Sequence, residues 1–440
     1  MIFRDAVSTL WMPADTSREI EHGLVNNVLV WSIAAATILL ILARPRRMAE
    51  AVWACSGALL LVIAGAITPG DAWSAVARGT DVYLFLTGMM LLAELARREG
   101  FFDWLAVIAI KRARGSAARL FAIVYGVGTL VTIFLSNDAT AIVLTPAVLA
   151  ALRKTKARPL PYLLVCAFIA NAASFVLPIS NPANLVVYGA RMPPLATWLR
   201  SFGLASAVSI AVTFVMLRMY VGGDLPGSIE DGIEGTRLSA SGKAAALGIA
   251  GAAFVLVVAS AIGIDLGLPT CAVGLAALGF VAIKDRSAPG AILKHISWSV
   301  LALVAGLFVL VEGINHAGAL ALSGGALRAA GHLPPLAGSL SAAFGVALLS
   351  NVANNLPAGL IAAGALSHGV FPNAIRSGVL IGIDLGPNLS VTGSLATILW
   401  LVALRREGED VSFRTFLRVG LVVMPPALAL AVLSAVATGR

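Results

Sequence analysis

The sequence predicts an all-α integral membrane protein, an inverted-repeat transporter with two re-entrant helical hairpins and two broken transmembrane helices. Composition is the first reason: the 440 residues are 59% hydrophobic and only 12% charged, with a mean hydropathy of +0.92. That is too little charge to cover a soluble protein of this size. The second reason is a pair of matching polar interruptions, Ser136-Asn137-Asp138 in one half and Ser350-Asn351 with Asn354-Asn355-Pro357 in the other. The third is that each is followed by another break, NAASFVLPISNPAN over 171–184 and DLGPNLSVTGSLAT over 384–397. A chain that repeats two helix breaks at hydrocarbon depth is most economically read as a transporter holding its solute between them.

The elements follow in order from apolar runs and flanking charge. Residues 1–23 mix charges of both signs and lack the apolar core of a cleavable signal, so they are expected to form a periplasmic segment. The first transmembrane half, 24–221, opens with the apolar run Val25–Ala43; Arg44, Arg46 and Arg47 place its end in the cytoplasm. A second helix over 51–68 runs out to Asp71, and a third over 82–96 returns to Arg97-Arg98. Phe101–Ile110 is too short to span and ends in Lys111-Arg112-Ala113-Arg114, so it is expected along the interface. The two apolar legs of 119–152 have basic residues at both outer ends, which makes them a re-entrant hairpin with its tip in the membrane. A broken helix over 160–190 and a return over 202–220 complete this half.

A polar, Gly-rich linker over 222–242, expected in the cytoplasm, leads to the second half, 243–440. Helices over 243–262 and 269–283 end at Lys284-Asp285-Arg286. The pattern then repeats: Gly88 with Glu94 matches Gly306 with Glu312, Asn137 matches Asn351, and Asn171 matches Asp384 at similar offsets. The hairpin over 335–366 is flanked only by Arg328, His332, His368 and Arg376, so its open end is expected outside, opposite to the first. A broken helix over 373–404 returns to Arg405-Arg406, and a last helix over 418–436 exits. Both termini are then periplasmic. The net charge of +9 belongs to loops facing anionic membrane lipid, not to a nucleic-acid footprint.

Backbone in hydrocarbon must satisfy its own hydrogen bonds, so a broken helix survives only where it is buried in protein or lines a wet cavity. The breaks therefore predict a cavity whose side chains are Asn, Ser, Thr and Asp, without Lys or Arg. Such a site suits a cation or a neutral hydroxylated solute better than a bulky polyanion. Asp138 and Asp384 are its central ionisable residues, and an Asp at helix centre costs about 2.5–3.5 kcal/mol on insertion scales unless it has a partner or a function. The plainer alternative is that these acids, and Asn137, Asn351, Asn354 and Asn355, only cap helices. Glu94 can pair with Arg97 or Arg98 one turn away. Cys55, Cys166 and Cys271 follow no paired spacing, and the histidines show no metal spacing, so no metal and no cofactor is expected. Walker, GxSxG and HExxH motifs are absent, so the chain reads as a transporter and not an enzyme.

The same residues resemble the bacterial arsenite and antimonite efflux permeases of the ArsB type, within the larger ion transporter superfamily. LSNDATAIVLTPAVLA (135–150), FIANAASFVLPISN (168–181), SNVANNLP (350–357) and GIDLGPNLSVTGSLATILWL (382–401) carry the resemblance. It implies a carrier of the bacterial inner membrane that exports trivalent arsenite or antimonite in exchange for protons, sometimes beside a soluble ATPase subunit. By position it implies a site of Asn137, Asp138 and Thr140 from one hairpin and Asn351, Asn354 and Asn355 from the other. Ser180, Asn181 and Asn184 would come from the first break, and Pro387, Ser390, Thr392 and Ser394 from the second. Asp138 and Asp384 would couple protons. Arsenous acid is an uncharged trihydroxyl species near neutral pH, and amides and hydroxyls both donate to and accept from it. The chain departs from the family pattern at Asn171, where an Asp is common, at Asn388, where a Lys is common, and at Pro182. Sodium:proton exchange or carboxylate transport on the same fold is the alternative; thiol coordination by Cys166, and an intramembrane enzyme using paired acids, are further ones.

Overall fold

The computed structural model describes residues 14–43, 45, 48–155, 157–189, 192–225, 227–230, 238–284 and 288–439. Arg44, Arg46, Arg47, Asp285 and Arg286, used above as topology markers, lie outside the described residues, as do positions 1–13 of the expected periplasmic segment and 231–237 of the linker. All regular structure among the described residues is helical. The first half comprises α1 (Ala14–Ala43), α2 (Glu50–Ile63), α3 (Pro69–Arg78), α4 (Thr80–Arg98), α5 (Phe101–Ala113) and α6 (Ala117–Phe134). It continues through α7 (Asn137–Ala139), a π-turn (Thr140–Leu144), α8 (Thr145–Leu152), α9 (Leu160–Ala172), α10 (Pro182–Tyr188) and α11 (Leu195–Tyr220). The second half comprises α12 (Ala240–Ala261), α13 (Gly267–Lys284), α14 (Ala288–His295), α15 (Ser299–His316), α16 (Ala319–Gly331) and α17 (Pro335–Ala353). Then come α18 (Asn355–Ser367), α19 (Asn373–Leu385), α20 (Leu395–Arg406) and α21 (Phe413–Thr438).

Among the described residues, α6, α11, α15, α17 and α21 are each long and apolar enough to cross a membrane alone, and α3 with α4 makes a sixth candidate bent by 48°. The shorter apolar helices include hairpin legs and halves of broken helices. Hairpin 1 is α6 with α7–α8, and hairpin 2 is α17 with α18. The broken helices are α9 with α10 and α19 with α20, each interrupted by a short 3-10 turn, Pro178–Ser180 or Gly386–Leu389. Helix α3 carries a local signal that hydropathy alone does not show: Thr68 accepts the Asp71 N–H at 3.1 Å and Pro69 occupies the first turn.

The halves interlock. Helix α2 of the first half packs on α15 of the second, and α13 of the second packs on α4 of the first. Gly88 and Gly306 sit at these two crossings: a Cβ on Gly88 would lie 2.2 Å from the Thr270 carbonyl oxygen, and one on Gly306 would lie 2.8 Å from the Ala54 carbonyl carbon. Only glycine allows backbones this close. Helices α11 and α21, equivalent in the two halves, pack on each other.

One register in the sequence reading is corrected. Hairpin 1 turns at Ser136, the N-cap of α7, and hairpin 2 turns at Asn354, the N-cap of α18. Asn137 is therefore equivalent to Asn355, not Asn351, and this shift equals the one relating Gly88 to Gly306. Asn351 still belongs to the last turn of α17, and the helix breaks only where Asn354 takes φ 76°.

Candidate functional site

Four half-helices begin around one point, and each has its first turn capped by its own side chain. Ser136 Oγ accepts the Ala139 N–H at 3.2 Å, and Asn354 Oδ1 accepts that of Leu356 at 3.4 Å. Asn181 Oδ1 accepts the Ala183 N–H at 3.0 Å, and Ser394 Oγ accepts that of Thr397 at 3.1 Å. Caps of this kind consume donors that a helix start otherwise offers to an anion. Between the four starts lies a cavity of about 10 Å³, lined by Asn137, Asp138, Asn181, Pro182, Asn355 and the apolar Leu86, Leu356, Leu395 and Ala396. That volume is close to the minimum that holds one water. The hairpin tips contribute at matching positions, Asn137 with Asn355 and Asp138 with Leu356, so an acid faces the cavity from hairpin 1 where hairpin 2 has a leucine; of the break starts only Pro182 and Leu395 match.

Two hydrogen bonds cross between the halves as images of each other. Asn181 Nδ2 donates to Asp384 Oδ1, and Ser394 Oγ donates to Asn171 Oδ1 at 3.1 Å. Asn171 and Asp384 occupy equivalent places, as do Asn181 and Ser394, so each break's cap reaches the other half's polar residue. Asp384 is fully buried, and its Oδ2 has no hydrogen-bond partner among the described residues. The nearby Ser174 hydroxyl is spent on the Asn171 carbonyl at 2.7 Å. Asn171 also donates from Nδ2 to Asn388 Oδ1 at 3.0 Å, and Asn388 Nδ2 donates to the Phe168 carbonyl at 3.0 Å. Two of the three positions that depart from the family pattern thus touch, as a neutral amide pair.

The structure brings Asn137, Asp138, Asn181 and Asn355 to the cavity and places the other expected residues around it. Thr140 is buried and meets the Thr132 hydroxyl at 2.8 Å, tying the legs of hairpin 1 together. Ser180 donates to the Ile133 carbonyl at 3.0 Å and accepts the Leu177 N–H at 3.2 Å. Asn184 Nδ2 donates to the carbonyls of Ser174, Leu177 and Pro178, filling the gap left by the first break. Ser390 donates to Asn351 Oδ1 at 2.7 Å, and Thr392 donates to the Asn351 carbonyl at 3.0 Å, so these three form a separate cluster under the tip of hairpin 2. Asn354 Nδ2 reaches the Thr392 carbonyl at 3.4 Å and joins it. Pro387 lies in the 3-10 turn, close behind Gly393. Cys166 is fully buried on α9 and does not line the cavity. Glu94 pairs with Arg97 at 2.5 Å, as its spacing allows.

The sequence reading missed Leu86, Pro182, Leu356, Leu395 and Ala396. Pro182, Leu356 and Leu395 directly follow or nearly follow a cap, and that position is the signal that could have found them. It also missed a vestibule of about 850 Å³ whose walls include Arg78, Asp81, Tyr188, Glu312, His316 and Arg376. The vestibule opens on the side where hairpin 2 has its feet. The seam of α10 and α18 separates it from the cavity, where Gly359 faces Val186 and Val187.

Known proteins match this architecture over most of its length. Residues 37–380 match the CitMHS family, described as citrate transporter. The arsenical pump membrane protein of Escherichia coli (strain K12) is 29% identical over 421 residues, covering 91% of this chain and 96% of that one. That of Yersinia enterocolitica is 28% identical over 416 residues at the same coverage, and a putative one of Bacillus subtilis (strain 168) is 25% identical over 422 residues, covering 88% and 94%. The crystal structure of the YdaH transporter of Alcanivorax borkumensis superposes with a TM-score of 0.52 at 16% identity, over 84% of this chain and 86% of that one. At that identity the likeness concerns the fold alone. Interlocked halves, two opposed hairpins, two broken helices and these relatives together make the chain a multi-pass membrane transporter of the CitMHS family, with arsenical pump membrane proteins among its relatives.

Proposed function

We propose that the protein exports trivalent arsenite or antimonite across the inner membrane in exchange for protons, with the solute held between the hairpin tips. The observation that carries this reading is the pair of acceptors at the cavity. Asp138 contributes a carboxylate, and the buried Asn355 Oδ1 has no hydrogen-bond partner among the described residues. The lining contains no Lys or Arg, and the caps occupy the helix-start donors. A buried acceptor left without a donor costs about 1–3 kcal/mol, so the cavity favours a ligand that brings hydrogens. Arsenous acid carries three hydroxyl donors; citrate is a polyanion and would meet a carboxylate here. Asp138 and Asp384 are the coupling acids in this reading, one at the cavity and one joined to it through Asn181. The present volume fits neither solute, so loading requires a hairpin tip to withdraw.

The same oxygens also suit a small hard cation, which makes sodium:proton exchange the second reading. Flux into everted vesicles separates the two. Arsenite uptake that collapses with a protonophore, and that sodium does not replace, is the expected result. Sodium-driven proton movement with no arsenite flux overturns the first reading in favour of the second.

A further inference from the structure

We propose that residues 222–225 and 227–230, which follow α11, form a strap that holds the hairpin 1 mouth shut, with the Arg153–Glu407 pair as a bolt beside it. The Ile229 N–H donates to the Gly115 carbonyl at 2.8 Å, and the Glu230 N–H donates to the Thr155 carbonyl at 3.3 Å. Gly115 precedes Ser116, the N-cap of α6, and Thr155 follows α8, so these two bonds hold both feet of hairpin 1. Ile229 buries its side chain in the hydrophobic core, 9% exposed, and Asp224 at the start of the strap lies 3.6 Å from Arg158 beyond the second foot. Arg153, at the end of α8, meets the Glu407 carboxylate at 3.0 Å and also donates to the Glu407 carbonyl, joining hairpin 1 to the end of α20.

The opposite mouth differs. There the second foot of hairpin 2, Leu366–His368, lines the open vestibule. The equivalent seams are α10 against α18 on the vestibule side and α20 against α8 on the strapped side. Opening the strapped side requires α20 to part from α8, which breaks the bolt, and the feet of hairpin 1 to shift, which breaks the strap. The strap continues directly from α11, which packs on α21 between the halves, so it ties a hairpin to the scaffold that hairpin must move against. The mechanism is independent of which solute is carried.

The test uses the full chain in nanodiscs with Cys55, Cys166 and Cys271 replaced by Ala, reporter Ala403→Cys in the buried part of α20, and control reporter Ala431→Cys in the core of α21. Ile229→Asp releases the strap and Arg153→Ala releases the bolt. Each is expected to raise maleimide labelling at 403 about tenfold, the order of change that one or two lost hydrogen bonds allow, with labelling at 431 unchanged. Unchanged labelling at 403 in both variants overturns the proposal. So does equal acceleration at 403 and 431, which reports general loosening and not a mouth. As a second measurement, Thr155→Cys with Glu230→Cys is expected to form a disulfide that slows labelling of the Ala403→Cys site below the unlinked rate; failure to form it, or no slowing, overturns the docked strap.

Discussion

Asn171 and Asn388 show how much one pair of residues decides. They lie in different halves and were legible only as two separate departures from a family pattern; the fold makes them one contact at 3.0 Å. Asn171→Asp alone would place a carboxylate against Asn388 Oδ1, with no ion-pair partner for it among the described residues. Unpaired buried charge costs about 3–5 kcal/mol, so a marked fall in melting temperature in detergent is expected. Adding Asn388→Lys should recover most of it, and a double-mutant cycle with no coupling would refute the contact. Asp384→Asn is the complementary case. The variant keeps an oxygen to accept from Asn181 Nδ2, so its melting temperature should stay near wild type while arsenite export falls to background. Export at the wild-type rate would remove Asp384 from the coupling role.

At the scale of elements, the two halves share topology but not packing. Gly378, Gly382 and Gly386 form a stripe on and just beyond α19, and a Cβ at each would lie 2.4, 2.3 and 2.4 Å from Ser339 O, Ala343 O and Ala347 Cβ. Helix α19 therefore meets α17 backbone to backbone. The equivalent first-half positions are Val165, Ile169 and Ala173, so α9 keeps side chains between itself and α6. Gly382→Val forces a carbonyl of α17 to move, and overpacking of this kind costs about 1–3 kcal/mol or more. The expected readout is a loss of folded, monodisperse protein in size-exclusion chromatography; a normal profile would contradict the close crossing. The hairpins and breaks themselves were legible as Asn, Ser, Gly and Pro interrupting apolar runs. The capping partners show why: each break starts a new helix, and a helix start needs a side-chain acceptor.

For the whole molecule, opposed hairpins create two mouths, one open at the vestibule and one closed at the bolt and strap. Charge predicts which faces the cytoplasm. Arg112, exposed at the end of α5, belongs to the hairpin 1 side, and Arg328, exposed near the end of α16, belongs to the other. An impermeant maleimide applied to intact cells should label Arg328→Cys and leave Arg112→Cys untouched, with the pattern reversed in everted vesicles; the opposite result inverts the topology. Local sequence was sufficient for the membrane class, the helix breaks and the repeat, because hydrocarbon offers the backbone no alternative partner and every interruption must be written in polar, Gly or Pro residues. It was not sufficient for the partners. That Asn181 reaches Asp384, that Ser394 reaches Asn171, and that Ile229 fastens hairpin 1 all depend on residues far apart in the chain. The first two meetings need the halves to pack against each other, the third needs the linker to fold back on hairpin 1, and periodicity and flanking charge carry no record of either geometry.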